Sequence, residues 1–170
     1  MKEADVRKLQ FNPMEMIGGQ WWLVTAGNQE RGWNTMTASW GHLGAIWGQN
    51  HGMPTAVIYI RPQRYTKEFV DREEIFTLSV LPEKYRRALA LLGTKSGRDG
   101  DKVAEAGLTP VFDGDATYFA EAERVFVCRK VYHAPILAEG FTDQSIIEDH
   151  YPQRDFHEMY IGEIVRTMEK

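Results

Sequence analysis

Short runs of β-branched and aromatic residues recur along this chain, and most of them end at a glycine or a proline. The clearest run is TAVIYI at residues 55–60, which has a proline close by on each side. Such bounded runs are typical of β-strands. We therefore predict strands at residues 21–26, 55–60, 76–81, 123–135 and 158–168, and a loosely alternating run at residues 34–40. Three glycines after that run are expected to interrupt any regular element: Gly41, Gly44 and Gly48.

Helical composition or spacing predicts four short helices, at residues 65–74, 83–92, 101–106 and 143–150. Thr66 is the expected N-cap of the first helix, and Gly107 is expected to end the third. The helices lie irregularly among more numerous strands, which predicts a barrel-like α+β fold rather than a doubly wound parallel sheet. Residues 1–20 are expected to form a lead-in segment of a single domain spanning residues 1–170.

Composition and charge narrow the class of protein. Hydrophobic residues make up 43% of the 170 residues and charged residues 26%, as in an ordinary globular domain. The net charge of −4 and the lack of a basic stripe argue against a nucleic-acid partner. No apolar run approaches the ~20 residues that span a bilayer, and the N-terminus lacks a signal-peptide pattern, so we expect a cytoplasmic protein without a membrane partner. The single cysteine, Cys128, is expected to be a small buried strand residue rather than a reactive thiol.

The common catalytic motifs are absent from the sequence. It contains no glycine-rich Rossmann loop, no Walker loop, no His-Glu-x-x-His motif and no nucleophile elbow. The five histidines are scattered without the paired spacing of a zinc site, so no metal site is expected. Demanding chemistry in this protein would therefore belong to a bound cofactor.

Two segments carry groups that suit a flat, anionic ligand. Residues 34–40 (NTMTASW) place small polar side chains around apolar ones, so a planar ligand could approach the backbone, although an ordinary Thr/Ser-rich strand is the simpler explanation. Residues 61–66 (RPQRYT) follow the clearest strand and open a helix. Their two guanidinium groups and the helical N–H groups suit a phosphate, and a plain surface turn is the equal alternative.

Two further segments are less specific when taken alone. Residues 96–102 (SGRDGDK) place cations around two glycines at the start of a helix, where a capped loop and a phosphate contact are both compatible with the pattern. His157 stands at the start of the last predicted strand, where a solvent-facing or capping role is the alternative to a ligand contact.

In this order and spacing, the segments together resemble the flavin reductase-like family of FMN-binding split-barrel proteins, which includes the flavoredoxins. The matching text is NTMTASWG (34–41), PTAVIYIRPQRYT (54–66), FTLSVL (76–81), SGRDGDKVAEAGLTP (96–110) and HEMYIGEIV (157–165). The resemblance implies a mainly β, α+β fold: a six-stranded antiparallel Greek-key split β-barrel with short flanking helices. It also implies a homodimer that holds FMN near the dimer interface.

The resemblance further implies which residues bind FMN. The flavin ring and ribityl chain would be lined by Asn34, Thr35, Met36, Thr37, Ala38 and Ser39. Candidates for the phosphate are Arg61, Arg64, Tyr65 and Thr66, and the residues near the same cofactor would be Ser96, Arg98 and Lys102. His157 falls where related reductases place a histidine near the nicotinamide, so it is the candidate catalytic residue, although Asp155-Phe156 replaces the Gly-Asp that commonly precedes it.

Three functions are compatible with this resemblance. The first is an NAD(P)H-dependent flavin reductase with FMN, for which NADH or NADPH is the electron donor. The second is a flavoredoxin-like carrier that exchanges electrons with a redox partner protein and has no NAD(P)H turnover of its own. The third is a barrel that binds another ligand. Fold and cofactor transfer between such relatives better than the reaction does.

Overall fold

The computed structural model describes residues 1–170, and antiparallel strands dominate it. The strands are β1 (Lys2–Glu3), β2 (Trp22–Asn28), β3 (Gly32–Ala38), β4 (Gly41–Ile46), β5 (Met53–Ile60), β6 (Ile75–Val80), β7 (Pro110–Asp113), β8 (Ala116–Phe119), β9 (Arg124–Pro135) and β10 (Glu158–Glu169). The helices are α1 (Tyr65–Arg72), α2 (Arg86–Thr94), α3 (Lys102–Ala106) and α4 (Ser145–His150). A π-helical segment, Glu15–Gln20, precedes β2.

Eight strands form one sheet in the order β3-β2-β6-β9-β10-β5-β4, with β1 added beside β10. The strands β3 and β4 stand at opposite ends of this order, yet only Ser39 and Trp40 separate them along the chain. The sheet must therefore curl until its two ends meet, and it forms a barrel that is split between β3 and β4. The predicted mainly β split barrel is confirmed, with more strands than the six expected.

Alternation of side chains along the strands gives the sheet two apolar faces. One face fills the barrel interior, where Trp22, Phe76 and Tyr160 are fully buried. The other face of β2, β6 and β9 carries a second core, which includes Leu23 and residues of α2, α3 and the β7–β8 hairpin such as Leu89. Trp22 and Leu23 are adjacent in β2 and lie in different cores, so this one strand contributes side chains to both.

The segment before β2 is part of the packed structure. Lys2 and Glu3 pair with the end of β10, and Met16 and Ile17 of the π-helical segment are buried in the barrel core. Cys128 is fully buried in the same core, which confirms its expected place. None of the helices is long and apolar enough to cross a membrane.

Four local predictions need correction. Gly41 and Gly44 do not interrupt regular structure, because both lie inside β4. Gly41 is required there, since an added Cβ would lie 2.3 Å from a ring carbon of Trp22. Thr66 is not the N-cap of α1: Arg64 holds that position with an extended backbone.

The fourth correction is the β7–β8 hairpin, which the strand predictions missed. Its two-residue turn is Gly114-Asp115, and Gly114 adopts a φ of +61°. Gly-Asp between two short extended runs is a common hairpin signal. The flanking strands have four residues each, so the alternating pattern around this signal was short.

Candidate functional site

Two pockets lie side by side along β3, the strand at one end of the sheet. The first, called the cationic pocket, has a volume of about 280 Å³ and is lined by Asn34, Met36, Gln63, Arg64, Tyr65, Thr66, Thr94, Lys95, Ser96, Gly97 and Lys102. The second, called the aromatic pocket, has a volume of about 240 Å³ and is lined by Met36, Thr37, Ala38, Ser39, Trp40, Tyr59, Arg61, Arg64 and His157. Met36 and Arg64 line both pockets, so the two form one groove. Together they fall within the ~300–1,000 Å³ typical of small-molecule sites.

The strand β3 gives this groove a polar backbone wall. Within the sheet β3 pairs only with β2, so alternate N–H and C=O groups along its other edge have no strand partner. Thr35 does not present its side chain to either pocket, because its hydroxyl lies 2.8 Å from that of Thr25. The Thr37 hydroxyl donates to the carbonyl of Leu89 at 2.6 Å. The strand thus offers mainly its backbone, small side chains and Met36 to a ligand.

The cationic pocket carries positive charge that no lining carboxylate balances. Arg64, Lys95 and Lys102 line it; Lys95 pairs with Glu105 outside the lining, whereas Arg64 and Lys102 pair with no carboxylate. Lys102 is only 4% exposed and donates to the carbonyls of Leu92 at 3.2 Å and Lys95 at 3.0 Å. Burial, aided by the nearby Arg64, lowers the pKa of Lys102 to about 8. An anion in this pocket would stabilise the charged form of that ammonium group.

The start of α1 and the following loop hold this pocket together. The Asn34 side-chain amide donates to the Thr66 hydroxyl at 2.8 Å, which ties β3 to the first turn of α1. Ser96 caps the short turn that follows α2 by accepting from the backbone N–H of Arg98. At Gly97 an added Cβ would lie 2.3 Å from the Asn34 side-chain oxygen, so only glycine lets this loop approach β3 so closely.

The aromatic pocket is built around His157, which directly precedes β10. The Trp40 and His157 rings lie 4.8 Å apart between centroids, and the Tyr151 hydroxyl lies 2.8 Å from Nδ1 of His157. Burial, helped by the nearby Arg61 guanidinium, lowers the pKa of His157 to about 4. This imidazole is therefore neutral near pH 7, and it can accept or donate one hydrogen bond and stack on a ring.

Arg61 and Arg64 have different partners, although they stand three residues apart. Arg61 pairs with Asp155 at 2.5 Å and donates to the carbonyl of His150 at 2.7 Å. Arg64 donates to the carbonyl of Gly93 at 2.8 Å and faces no carboxylate among the pocket residues. Arg64 is consequently the arginine of this pair whose charge is available to an anion.

Most of the sequence-predicted site residues line the groove, and two do not. Those that line it are Asn34, Met36, Thr37, Ala38, Ser39, Arg61, Arg64, Tyr65, Thr66, Ser96, Lys102 and His157. The two that do not are Thr35, described above, and Arg98. Arg98 is exposed, pairs with Glu68 and stacks 4.4 Å above the Tyr65 ring.

Sequence reasoning missed several lining residues, including Tyr59 and Lys95. Tyr59 stands two residues before Arg61, and the two-residue period of a strand would have placed both on one face. Lys95 carried no comparable signal. Tyr151, which holds His157, was also missed because five residues of irregular chain separate the two.

The fold and the groove define a split-barrel protein with a candidate small-molecule site at its edge, and comparison with known proteins specifies the family. The model of the flavin reductase like domain matches residues 14–170, which is most of the chain. The chain therefore belongs to the flavin reductase-like family. No curated protein matches the chain in sequence.

Solved structures show the same fold at low sequence identity. Flavoredoxin of Desulfovibrio vulgaris (Miyazaki F) is 23% identical, with a TM-score of 0.66 over 100% of this chain and 77% of that one. An FMN-binding protein from Thermus thermophilus is 17% identical, with a TM-score of 0.65 over 100% and 82%. An NADH:FAD oxidoreductase of Streptomyces globisporus C-1027 is 16% identical, with a TM-score of 0.64 over 89% and 75%.

Proposed function

We propose that the groove along β3 binds FMN and that the protein is an NAD(P)H-dependent flavin reductase-like oxidoreductase. The observation that carries the proposal is the uneven polarity of the groove. One end holds Arg64 and Lys102, which pair with no carboxylate, and the other end is aromatic, with the charge of Arg61 there paired by Asp155. FMN has the same polarity, with an anionic phosphate at one end and a flat ring system at the other.

The phosphate would occupy the cationic pocket. Arg64 and Lys102 supply the charge, and charge-assisted hydrogen bonds to phosphate are stronger than neutral ones. Lys102 has three N–H donors and uses two on carbonyls, so one remains for a ligand. The hydroxyls of Ser96 and Thr66 lie in the same pocket and can add neutral hydrogen bonds.

The ring would occupy the aromatic pocket. Met36, Ala38 and Trp40 provide apolar surface there, and the free edge of β3 provides backbone donors and acceptors for a heterocycle. Bound FMN supplies the electron-transfer chemistry, and the chain supplies binding, orientation and electrostatics. Backbone N–H groups beside the ring would stabilise negative charge on it, and His157 would act as a neutral stacking and hydrogen-bonding group.

The electron donor is the second part of the proposal. Among the structures that share the fold, one is an NADH:FAD oxidoreductase, which supports a nicotinamide donor, and another is a flavoredoxin, which keeps the carrier role as the alternative. We propose the nicotinamide-dependent reaction, with NADH or NADPH. We also propose that the protein is a homodimer, which light scattering on the purified protein would measure.

Anaerobic spectroscopy tests these proposals in sequence. The protein reconstituted with FMN should retain the flavin absorbance after dialysis, and NADH or NADPH should then bleach it at a rate compatible with turnover. Bleaching by a redox protein but by neither nicotinamide would identify the carrier. Absence of FMN retention would refute the proposal as a whole.

A matched pair of substitutions tests the phosphate position. Arg64→Met removes a cation of the cationic pocket, whereas Arg98→Met removes an exposed cation that pairs with Glu68 outside it. Loss of a charge-assisted hydrogen bond is worth about 1.5–3 kcal/mol, so Arg64→Met should weaken FMN binding by roughly tenfold or more. Arg98→Met should leave it nearly unchanged. Equal affinities in both variants would contradict the assignment.

A further inference from the structure

A further pocket, larger than either the cationic or the aromatic pocket, lies next to the aromatic pocket, and the proposed FMN site does not use it. It has a volume of about 540 Å³ and is called the apolar pocket. The π-helical segment forms one wall with Ile17 and Gly18, β4 forms another with Leu43, and Ile136 contributes from the end of β9. Ser39, Trp40 and Tyr59 line both this pocket and the aromatic pocket, so the two share a wall.

The π-helical wall of the apolar pocket is held in place by contacts of Trp21 and Arg86. Trp21, just after the π-helical segment, adopts a φ of +71°, which a bulky residue rarely takes. The Arg86 guanidinium lies 3.3 Å from the Trp21 ring centroid and donates to the carbonyls of Gly19 at 2.6 Å and Gln20 at 3.1 Å. Strained backbone persists where its surroundings hold it, and π-helical turns are frequent at functional sites.

The lining has the composition of a site for an aromatic molecule. Apolar side chains dominate it, and the rings of Trp40, Tyr59 and His42 offer flat or edge contacts. Its polar side chains include one linked pair, in which the Tyr59 hydroxyl lies 3.2 Å from Nδ1 of His42. Burial raises the pKa of Tyr59 further above the neutral range, and its hydroxyl can donate to a ligand when it accepts from Nδ1 of His42. The lining contains no Asp, Glu, Lys or Arg.

We propose that the apolar pocket binds a planar aromatic molecule with one hydrogen-bonding oxygen, a phenol or an aryl carbonyl, oriented by the Tyr59–His42 pair. The exposed fractions of Met14 at 77% and Trp40 at 40% fit this role, because such a ligand would cover apolar surface that otherwise faces water. The further step, that this molecule is the second reactant of the flavin-dependent reaction, rests on the proposed function.

Equilibrium dialysis with two probes tests the binding site. The probes are 2-naphthol, which has the hydroxyl, and naphthalene, which lacks it. The wild-type protein should bind 2-naphthol several-fold more tightly than naphthalene. Equal affinity for the two probes, or no binding of either, would overturn the proposal.

Two glycines offer a matched pair of pocket-filling variants. An added Cβ at Gly18 or at Gly44 meets no atom within 4 Å, so both positions accept a side chain, but only Gly18 lines the apolar pocket. Gly18→Leu should weaken 2-naphthol binding at least tenfold, and Gly44→Leu should not change it. Unchanged binding in Gly18→Leu would overturn the location.

A second pair tests the polar contact. Tyr59→Phe removes the hydroxyl and should weaken 2-naphthol binding roughly threefold to tenfold, the range of one hydrogen bond, with naphthalene unaffected. Tyr132→Phe, at an exposed tyrosine outside the pocket, should affect neither probe. An equal loss for both probes in Tyr59→Phe would contradict orientation by this pair.

FMN affinity measured on the same samples separates this proposal from the proposed function. Probe binding without FMN binding would support the apolar pocket and refute the FMN site. FMN binding without probe binding would support the FMN site and refute the apolar pocket as a binding site. A change of molar mass in Gly18→Leu, together with weak probe binding in the wild type, would show that a second copy of the chain covers the pocket and would overturn the proposal.

Discussion

Replacing Lys102 by methionine tests the central electrostatic argument, since this residue combines burial with an unbalanced charge. Lys102→Met keeps a long flexible side chain and removes the ammonium group that donates to two carbonyls in the cationic pocket. A charge-assisted hydrogen bond contributes about 1.5–3 kcal/mol, so we expect FMN affinity to fall by roughly 10-fold to 150-fold. Lys84→Met, at an exposed lysine stacked on Tyr85, is the control and should not change the affinity.

The pH dependence gives a second, more specific signature of Lys102. Its pKa is about 8 without an anion, and a bound phosphate would raise it, so binding takes up a proton above that pH. FMN affinity should therefore fall as the pH rises above 8, by up to about tenfold per unit between the free and bound pKa values. Fluorescence titration of FMN at pH 7 and pH 9 measures this slope. Lys102→Met should abolish it, and a slope that survives the substitution would refute the reasoning.

The lowered pKa of Lys102 also predicts how the free energy of unfolding changes with pH in the protein without FMN. The folded-state value of about 8 lies below the ordinary 10.5 of the unfolded chain. Between these values the unfolded state binds more protons, so the contribution of Lys102 to the free energy of unfolding rises with pH across that window. Urea unfolding of wild type and Lys102→Met at pH 7.5 and pH 10 should show this difference in slope, whereas parallel curves would argue against a depressed pKa.

Three further outcomes follow from local geometry. Gly41→Ala should lower the free energy of unfolding in urea by roughly 1–3 kcal/mol, because its Cβ would lie 2.3 Å from the Trp22 ring. Gly44→Ala, in open space on the same strand, should change this free energy by less than about 0.5 kcal/mol. Similar losses in both variants would contradict the packing argument. His157 should titrate near pH 4 when its ring protons are followed by NMR, and a midpoint near the ordinary 6.5 would show that it is not buried as described. Cys128, whose thiol pKa is raised by complete burial, should react with a thiol reagent only in denaturant, and rapid labelling of the native protein would exclude its place in the core.

Elements set by local interactions were predictable from the sequence. The bounded run at residues 55–60 became β5, and the segment at residues 101–106 became α3. In α3, Asp101 accepts from the N–H groups of Val103 and Ala104, and Gly107 ends the helix in the left-handed region. Both caps act within a few residues, so their signals are present in the local sequence. The strand β4 was missed because its glycines were predicted to interrupt regular structure. The contact that requires Gly41 comes from Trp22 in β2, which the local sequence around Gly41 does not record.

The chain's short motifs were sufficient to indicate the family, and the resemblance named most residues of the groove along β3. Which of Arg61 and Arg64 has a carboxylate partner was decided by the tertiary structure. Arg61 is matched by Asp155, which is 94 residues away, and no local pattern records that pairing.

The burial of Lys102 under the end of α2 and the apolar pocket between the π-helical segment and β4 likewise arise only when separate segments pack. Sequence by itself thus indicated most of the elements and the family that the chain resembles, since those signals lie in neighbouring residues. The folded chain decided which charges remain free and where cavities open, because both depend on contacts between residues far apart along the sequence.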